Sequence, residues 1–144
     1  MSIEQNKTVV RRYFEEVLDQ GRIELLDELF SDDIVFHRGD YADPVTGLAG
    51  MRQVVGSVRE RYGEFTTTLH HMAAEGDLVA CRLSHETVHL DYWKSRIGTH
   101  QLAGKPIRWT AHAHFRLLDG KVVEEWVERD ELGMALSVGV LTPA

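Results

Sequence analysis

The chain has 144 residues, enough for one ordinary domain with a sizeable core, and its 43% hydrophobic and 27% charged content is that of a soluble globular protein. A net charge of −7 and a pI near 5.6 argue against a nucleic-acid surface, which needs clustered Lys and Arg. The single cysteine, Cys81, excludes an intramolecular disulfide and a cysteine-built metal site, as expected in a reducing compartment, and its neighbours Val79, Ala80 and Leu83 mark it as a buried structural thiol.

The first residues, Met-Ser-Ile-Glu-Gln-Asn-Lys, show no apolar secretory segment, and no apolar run approaches membrane-spanning length, so a cytoplasmic location is expected. Over residues 3–18, Val10, Tyr13, Phe14, Val17 and Leu18 recur at helical spacing, and Gly21 supplies a stop. A second, short helix is predicted over 23–30, then a strand over 34–37. Residues 38–50 are turn-rich, with Gly39, Asp40, Pro44, Gly47 and Gly50. A third helix is predicted over 48–62, with Met51, Val54, Val55, Val58 and Tyr62 as its apolar stripe. The period then changes to alternation: a strand over 65–73, a turn at Glu75-Gly76-Asp77, and a long strand over 78–90. Residues 91–106 read as a loop carrying Tyr92, Trp93 and Gly98, and 131–141 as a short tail. Helices at the front and antiparallel strands at the back predict a single α+β domain over 1–144, with three N-terminal helices packed on a curved sheet.

Residues 109–130 read as a hairpin. Alternation puts His112 and His114 on one face of its first strand, and Trp126, Glu128 and Asp130 on one face of its second. The turn sets the register. A three-residue loop over Leu118-Asp119-Gly120 places His114 opposite Glu124, His112 opposite Trp126 and Arg108 opposite Asp130. A two-residue Asp119-Gly120 loop places Trp109 opposite Asp130 and sends both histidines to the far face. The first register is preferred, because a type I turn over Leu118 and Asp119 with a left-handed Gly120 is a favoured three-residue hairpin loop.

The stretches Asn6-Lys7, Val9-Val10-Arg11-Arg12-Tyr13-Phe14 with Gly21, then Gly76-Asp77-Leu78-Val79-Ala80-Cys81-Arg82, then Phe115-Arg116-Leu117-Leu118-Asp119-Gly120-Lys121-Val122-Val123-Glu124-Glu125-Trp126-Val127-Glu128-Arg129-Asp130, resemble the SnoaL-like polyketide cyclase family of the nuclear-transport-factor-2-like superfamily. The resemblance implies a cone-shaped roll, a pocket for a small apolar or polyketide-like ligand, cofactor-free acid–base chemistry, and a homodimer. It also implies that Asp130, which closes the last motif, is the general acid/base of an intramolecular aldol closure. Leu83-Ser84-His85 stands where the related limonene epoxide hydrolases carry Arg-X-Asp, and His85 with His112 could imitate the paired histidines of scytalone dehydratases. Leu102-Ala103-Gly104-Lys105 replaces the family's Pro-Thr-Gly-Lys, and the aromatic loop before it is long.

Each assignment has an ordinary alternative. Asp130 at a strand end can be a solvated residue or the N-cap of a following helix. His112 and His114 can lie on a polar outer face, since Trp109, Ala111, Ala113, Phe115 and Leu117 make the better apolar face. In the functional reading, His112 shuttles a proton or donates to a substrate carbonyl, with His85 beside it and His114 in support. Trp126, Glu128, Tyr13, Phe14 and Trp93 would contact the substrate, Trp126 by stacking and Trp93 from a lid. His-X-His is also metal-ligand spacing, with His85 and Asp130 to complete the set, although no ligand-rich loop accompanies it and no metal is expected. The 98–105 segment lacks the spacing and the Ser or Thr of a phosphate loop. The expected activity is a cyclisation or isomerisation. The rivals are a dehydratase or hydrolase on the same scaffold, and a non-catalytic ligand-binding dimer.

Overall fold

The computed structural model describes residues 2–62, 64–88 and 92–144. The predicted end of the long strand at Leu90, and the start of the next loop at Asp91, lie outside the described residues.

Helix α1 (Ile3–Arg12) starts at a capping box, in which Ser2 Oγ accepts from the Gln5 N–H at 3.1 Å and Gln5 Oε1 accepts from the Ser2 N–H at 2.8 Å. It continues as a π-helical stretch, Tyr13–Asp19, which buries Tyr13, Phe14, Val17 and Leu18. The predicted first helix is therefore real but widens after Arg12, a feature that periodicity alone does not signal. A 3₁₀ turn (Ile23–Leu25) and the short α2 (Leu26–Leu29) lead into β1 (Phe30–Arg38). The pair Val45–Thr46 forms β2, and α3 (Gly47–Arg61) buries Leu48, Met51, Val54 and Val55. The strands β3 (Thr66–Glu75) and β4 (Leu78–Val88) follow. Most of the predicted 91–106 loop is a small separate hairpin, β5 (Tyr92–Ser95) with β6 (Gly98–Gln101), where Trp93 is buried. The last hairpin, β7 (Pro106–Leu118) and β8 (Lys121–Arg129), ends in a fourth helix, α4 (Glu131–Ser137), where a short tail was expected.

The main sheet runs β2-β1-β8-β7-β4-β3, antiparallel except for the parallel β1–β8 pair. Its concave face packs on α1, the π-helical stretch and α3 around one core that includes Val10, Phe14, Phe30, Met51, Leu83 and Phe115. No helix among the described residues is long and apolar enough to cross a membrane.

The β7–β8 register differs from the preferred prediction by two residues beyond the turn, which changes the cross-strand partners and leaves each side chain on the same face. Asp119 (φ 51°) and Gly120 (φ 80°) form a two-residue turn of the primed hairpin type, which matches the right-handed strand twist. Leu118 therefore faces Lys121, and Leu117 faces Val122. A bulge at Val123 then shifts the register, so Arg116 pairs with Glu124, Phe115 with Glu125, His114 with Trp126 and His112 with Glu128. The predicted partners of His114 and His112 are accordingly replaced, and Asp130, predicted opposite Arg108, donates its N–H to the Thr110 carbonyl instead.

Candidate active site

Alternation along β7 buries Ile107, Trp109, Ala111, Ala113, Phe115 and Leu117 against the helices and leaves Arg108, His112, His114 and Leu118 exposed. On β8 the bulge delivers Glu125, Val127 and Arg129 to the same inner side. Between the sheet and the helices lies a narrow cavity with about 560 Å³ of empty space, counting its open mouth. Tyr13, Phe14 and Leu18 line it from the π-helical stretch, and Val54, Val58 and Tyr62 from α3 and its end. Phe65, Leu83, Trp109, Ala111 and Ala113 form its apolar wall. Arg38, His85, Glu125 and Arg129 supply its polar groups.

Glu125 is 2% exposed, and its Oε1 has no hydrogen-bond partner among the described residues. Burial pushes its carboxyl up to about 8, with Arg38 pulling the other way. Glu125 is therefore an un-ionised acid at neutral pH, able to donate a proton into the cavity. Its position opposite Phe115, at the heart of the sheet, makes an apolar residue the expected occupant, so the carboxyl is retained against stability.

His85, 8% exposed on β4, is framed by the rings of Phe65 at 4.7 Å, Trp109 at 5.3 Å and Phe14 at 6.2 Å. Burial, and then the charges of Arg129 and Arg38, push its imidazole down to about 3, so the ring is neutral. Nδ1 lies 2.9 Å from Thr67 Oγ1, which in turn lies 2.7 Å from Asp19 Oδ1. The Thr67 contact is the ring's one hydrogen bond among the described residues, so Nε2 makes none there. Trp109 Nε1 is a further buried polar atom of the lining, a donor with no hydrogen-bond partner among the described residues.

At the polar end, Arg38 binds Asp40 through Nε at 2.5 Å and Nη2 at 2.9 Å, and its Nη2 also reaches the Tyr41 hydroxyl at 3.2 Å. Arg129 bridges Asp40 at 3.3 Å and Glu131 at 2.7 Å. Burial opposes each charge here, but Arg38 holds Asp40 below the usual carboxylate range and Asp40 holds Arg38 above its own. Two cations and two carboxylates thus close into a neutral cluster beside the cavity.

Of the residues singled out from the sequence, His85, Tyr13 and Phe14 line the cavity. Trp93 lines an adjoining recess between α3 and the β5–β6 hairpin. The others stand elsewhere. Asp130 is exposed at the N-cap of α4, its Oδ1 accepting from the Gly133 N–H at 2.9 Å while its own N–H donates to the Thr110 carbonyl. His112, His114 and Glu128 are exposed on the outer sheet face. Trp126 lies on that face too, stacked on His37 at 5.5 Å and 7° with Arg116 above it, while His37 Nε2–H donates to Glu124 at 2.7 Å. The physical reason is that Trp126 and Glu128 share the face of His112 and His114, as expected, but that face is the outer one, because Trp109, Ala111, Ala113, Phe115 and Leu117 pack toward the helices. The His112–His114 pair consequently cannot share ligands with His85, and no group of three or more His, Cys, Asp and Glu side chains among the described residues is placed to hold a metal. Cys81 is buried, its thiol pushed up to about 12 by burial and then by Glu125.

Glu125, Arg38, Arg129 and Trp109 are the lining residues that sequence reasoning passed over as functional. The apolar alternation of β7 was a usable signal, since whatever pairs with Phe115 and Ala113 must also face inward.

The SnoaL-like domain family model matches residues 10–125, most of the chain. The chain belongs to the SnoaL-like family. Among solved structures, it is similar to IdmH of Streptomyces antibioticus (24% identity, TM-score 0.77, covering 94% of this chain and 99% of IdmH), whose own assignment as a polyketide cyclase is provisional. It is also similar to a SnoaL-like polyketide cyclase of Agrobacterium tumefaciens (14%, TM-score 0.79, 96% and 100% covered). A third similar structure is an epoxide hydrolase of the limonene type from M. tuberculosis (14%, TM-score 0.75, 96% and 92%). At these identities the likeness establishes the fold, the mixed α+β roll described above. No curated protein matches the chain significantly.

Proposed function

We propose that this SnoaL-like protein is a cofactor-independent acid–base enzyme that cyclises or isomerises a small, largely apolar carbonyl compound of polyketide type. One observation carries the reading: Glu125, held un-ionised by burial and with a bare Oε1, shares an aromatic-walled cavity with a neutral His85 whose Nε2 has no hydrogen bond among the described residues. His85 Nε2 takes a proton alpha to the substrate carbonyl. The Glu125 carboxyl, keeping its proton, donates a hydrogen bond to the oxygen on which charge develops, and Trp109 Nε1–H offers a second one there. Charge appearing on that oxygen offsets the burial that holds His85 low. In a cyclisation the carbanion attacks a second carbonyl of the same molecule, and Glu125 protonates the new alkoxide. The imidazolium then returns its proton to Glu125, which resets the site. The family's polyketide cyclases and the aromatic lining support the substrate class.

The test is exchange of alpha protons for deuterium, followed by NMR, on a panel of cyclic and polyketide-like ketones. His85→Ala and Glu125→Gln are each expected to slow exchange by roughly a hundredfold, the scale of one positioned acid–base group. Folded variants that keep the wild-type rate would leave a ligand-binding module as the reading. Product analysis in the same assay separates cyclisation from loss or addition of water.

We further propose a homodimer, supported by the family resemblance. The outer sheet face is polar, with His37, His112, His114, Glu124 and Glu128, so pairing there would run through hydrogen bonds and the Trp126 ring.

A further inference from the structure

Asp19 closes the π-helical stretch and is absent from the cavity lining, yet a single hydroxyl joins it to His85. The Thr67 N–H donates to Asp19 Oδ2 at 3.0 Å, and Thr67 Oγ1 sits between Asp19 Oδ1 at 2.7 Å and His85 Nδ1 at 2.9 Å. The hydroxyl has one proton to give. An ionised carboxylate can only accept, so that proton goes to Asp19, and the Nδ1 contact is satisfied only if Nδ1 carries a hydrogen and donates it to Oγ1. Nε2 is then bare. If Asp19 is protonated and donates to Oγ1, the order reverses: the Thr67 proton turns to Nδ1, and the ring carries its one hydrogen on Nε2.

We propose that Asp19, acting through the Thr67 hydroxyl, is a positioning residue that selects the tautomer of His85, so that the cavity meets a proton acceptor when Asp19 is ionised and a proton donor when it is protonated. The functional half of this rests on His85 being the base of the proposed reaction. The relay joins three separate elements, the π-helical stretch, β3 and β4, across sequence separations of 48 and 18 residues.

The charges around it are few. Glu15 lies on Asp19's own element, and Arg59 of α3 donates to the backbone carbonyls of Leu18 and Asp19 at 3.1 Å each. Arg129 and Arg38 face His85. Burial raises the Asp19 carboxyl above the usual aspartate range, against the two Thr67 bonds that lower it. Because His85 stays neutral down to about 3, its response to Asp19 is a change of tautomer and not of charge.

The test needs no substrate. Long-range ¹⁵N–¹H correlation spectra of ¹⁵N-histidine-labelled protein report which nitrogen of His85 is protonated. Wild type is expected to show Nδ1–H at neutral pH and to change to Nε2–H on acidification, above the usual aspartate range. In Asp19→Asn the amide oxygen keeps the bond from the Thr67 N–H, its NH₂ donates to Oγ1, and Nε2–H is expected at every pH. Thr67→Ser is expected to behave as wild type, and Thr67→Val to lose the pH response. An Nδ1–H tautomer retained in Asp19→Asn, or a wild-type tautomer that never changes with pH, would overturn the relay. In the exchange assay, Asp19→Asn is expected to lose at least tenfold in rate together with its acidic limb. A tautomer that changes as described while exchange stays at the wild-type rate would uphold the relay and remove His85 as the base.

Discussion

Phe115 and Glu125 are partners across β7 and β8, a fully buried ring opposite a carboxyl that is almost as buried. In a protein selected for stability alone, both positions would be apolar.

Replacing Glu125 by Met should therefore stabilise the fold while removing the acid. A buried polar group without a partner costs on the order of 1–3 kcal/mol, and an apolar residue of similar volume recovers part of it. Urea denaturation is expected to give a higher midpoint for Glu125→Met than for wild type, with alpha-proton exchange abolished. A lower midpoint would mean that the carboxyl has a partner that the static structure does not reveal.

The same carboxyl sets a pH dependence. Its native pKa near 8 lies above the ordinary carboxyl range, so between about 4.5 and 8 the native state holds a proton that the unfolded state has lost. Stability thus falls as pH rises through that window, by up to ~1.4 kcal/mol per pH unit from this group. His85 acts in the opposite sense. Its native pKa near 3 lies below the ordinary histidine value of 6.5, so stability falls as pH drops from about 6.5 to 3. The two slopes oppose each other between about 4.5 and 6.5. Denaturation midpoints across pH 4–8 are expected to decline above 6.5 in wild type. In Glu125→Gln that decline should be absent, and in His85→Gln it should begin near 4.5.

Asp130→Ala should cost about 1 kcal/mol, the usual value of a lost N-cap, through fraying of α4. Its exposed carboxylate bonds the Gly133 N–H and no group of the cavity wall. A hundredfold loss of exchange in folded Asp130→Ala would show that the C-terminal segment closes over the cavity during turnover.

The assembly has its own test. Light scattering is expected to report a dimer, and Trp126→Asp, which breaks the His37 stack on the outer face, to shift it toward monomer. A wild-type monomer would end the dimer proposal.

The sequence made some of this visible and hid the rest for definite reasons. Helical spacing located α1 and α3 because their apolar stripes face one core, and alternation located β3, β4 and β7 because one side of each meets that core. His85, Tyr13 and Phe14 were legible because their own elements fix which way they point. Glu125 and Arg129 fall on the apolar face of β7 in the three-residue register and in the observed one alike, so alternation fixes their direction, but it does not announce that a carboxyl and a guanidinium belong to a functional cavity there. Thr67 and Asp19 were hidden for another reason: they are 48 residues apart, and only the closed roll brings them together.

The bulge at Val123 also bears on how related chains are compared. Two homologues that differ by one residue at that point would carry the same letters in the same columns, yet turn opposite sets of side chains toward their ligands. Column-by-column transfer of an active site across such a pair would assign chemistry to the dry side of one protein and the wet side of the other. Counting residues from the Asp119-Gly120 tip, and asking whether each chain contains the extra one, is what makes the comparison meaningful.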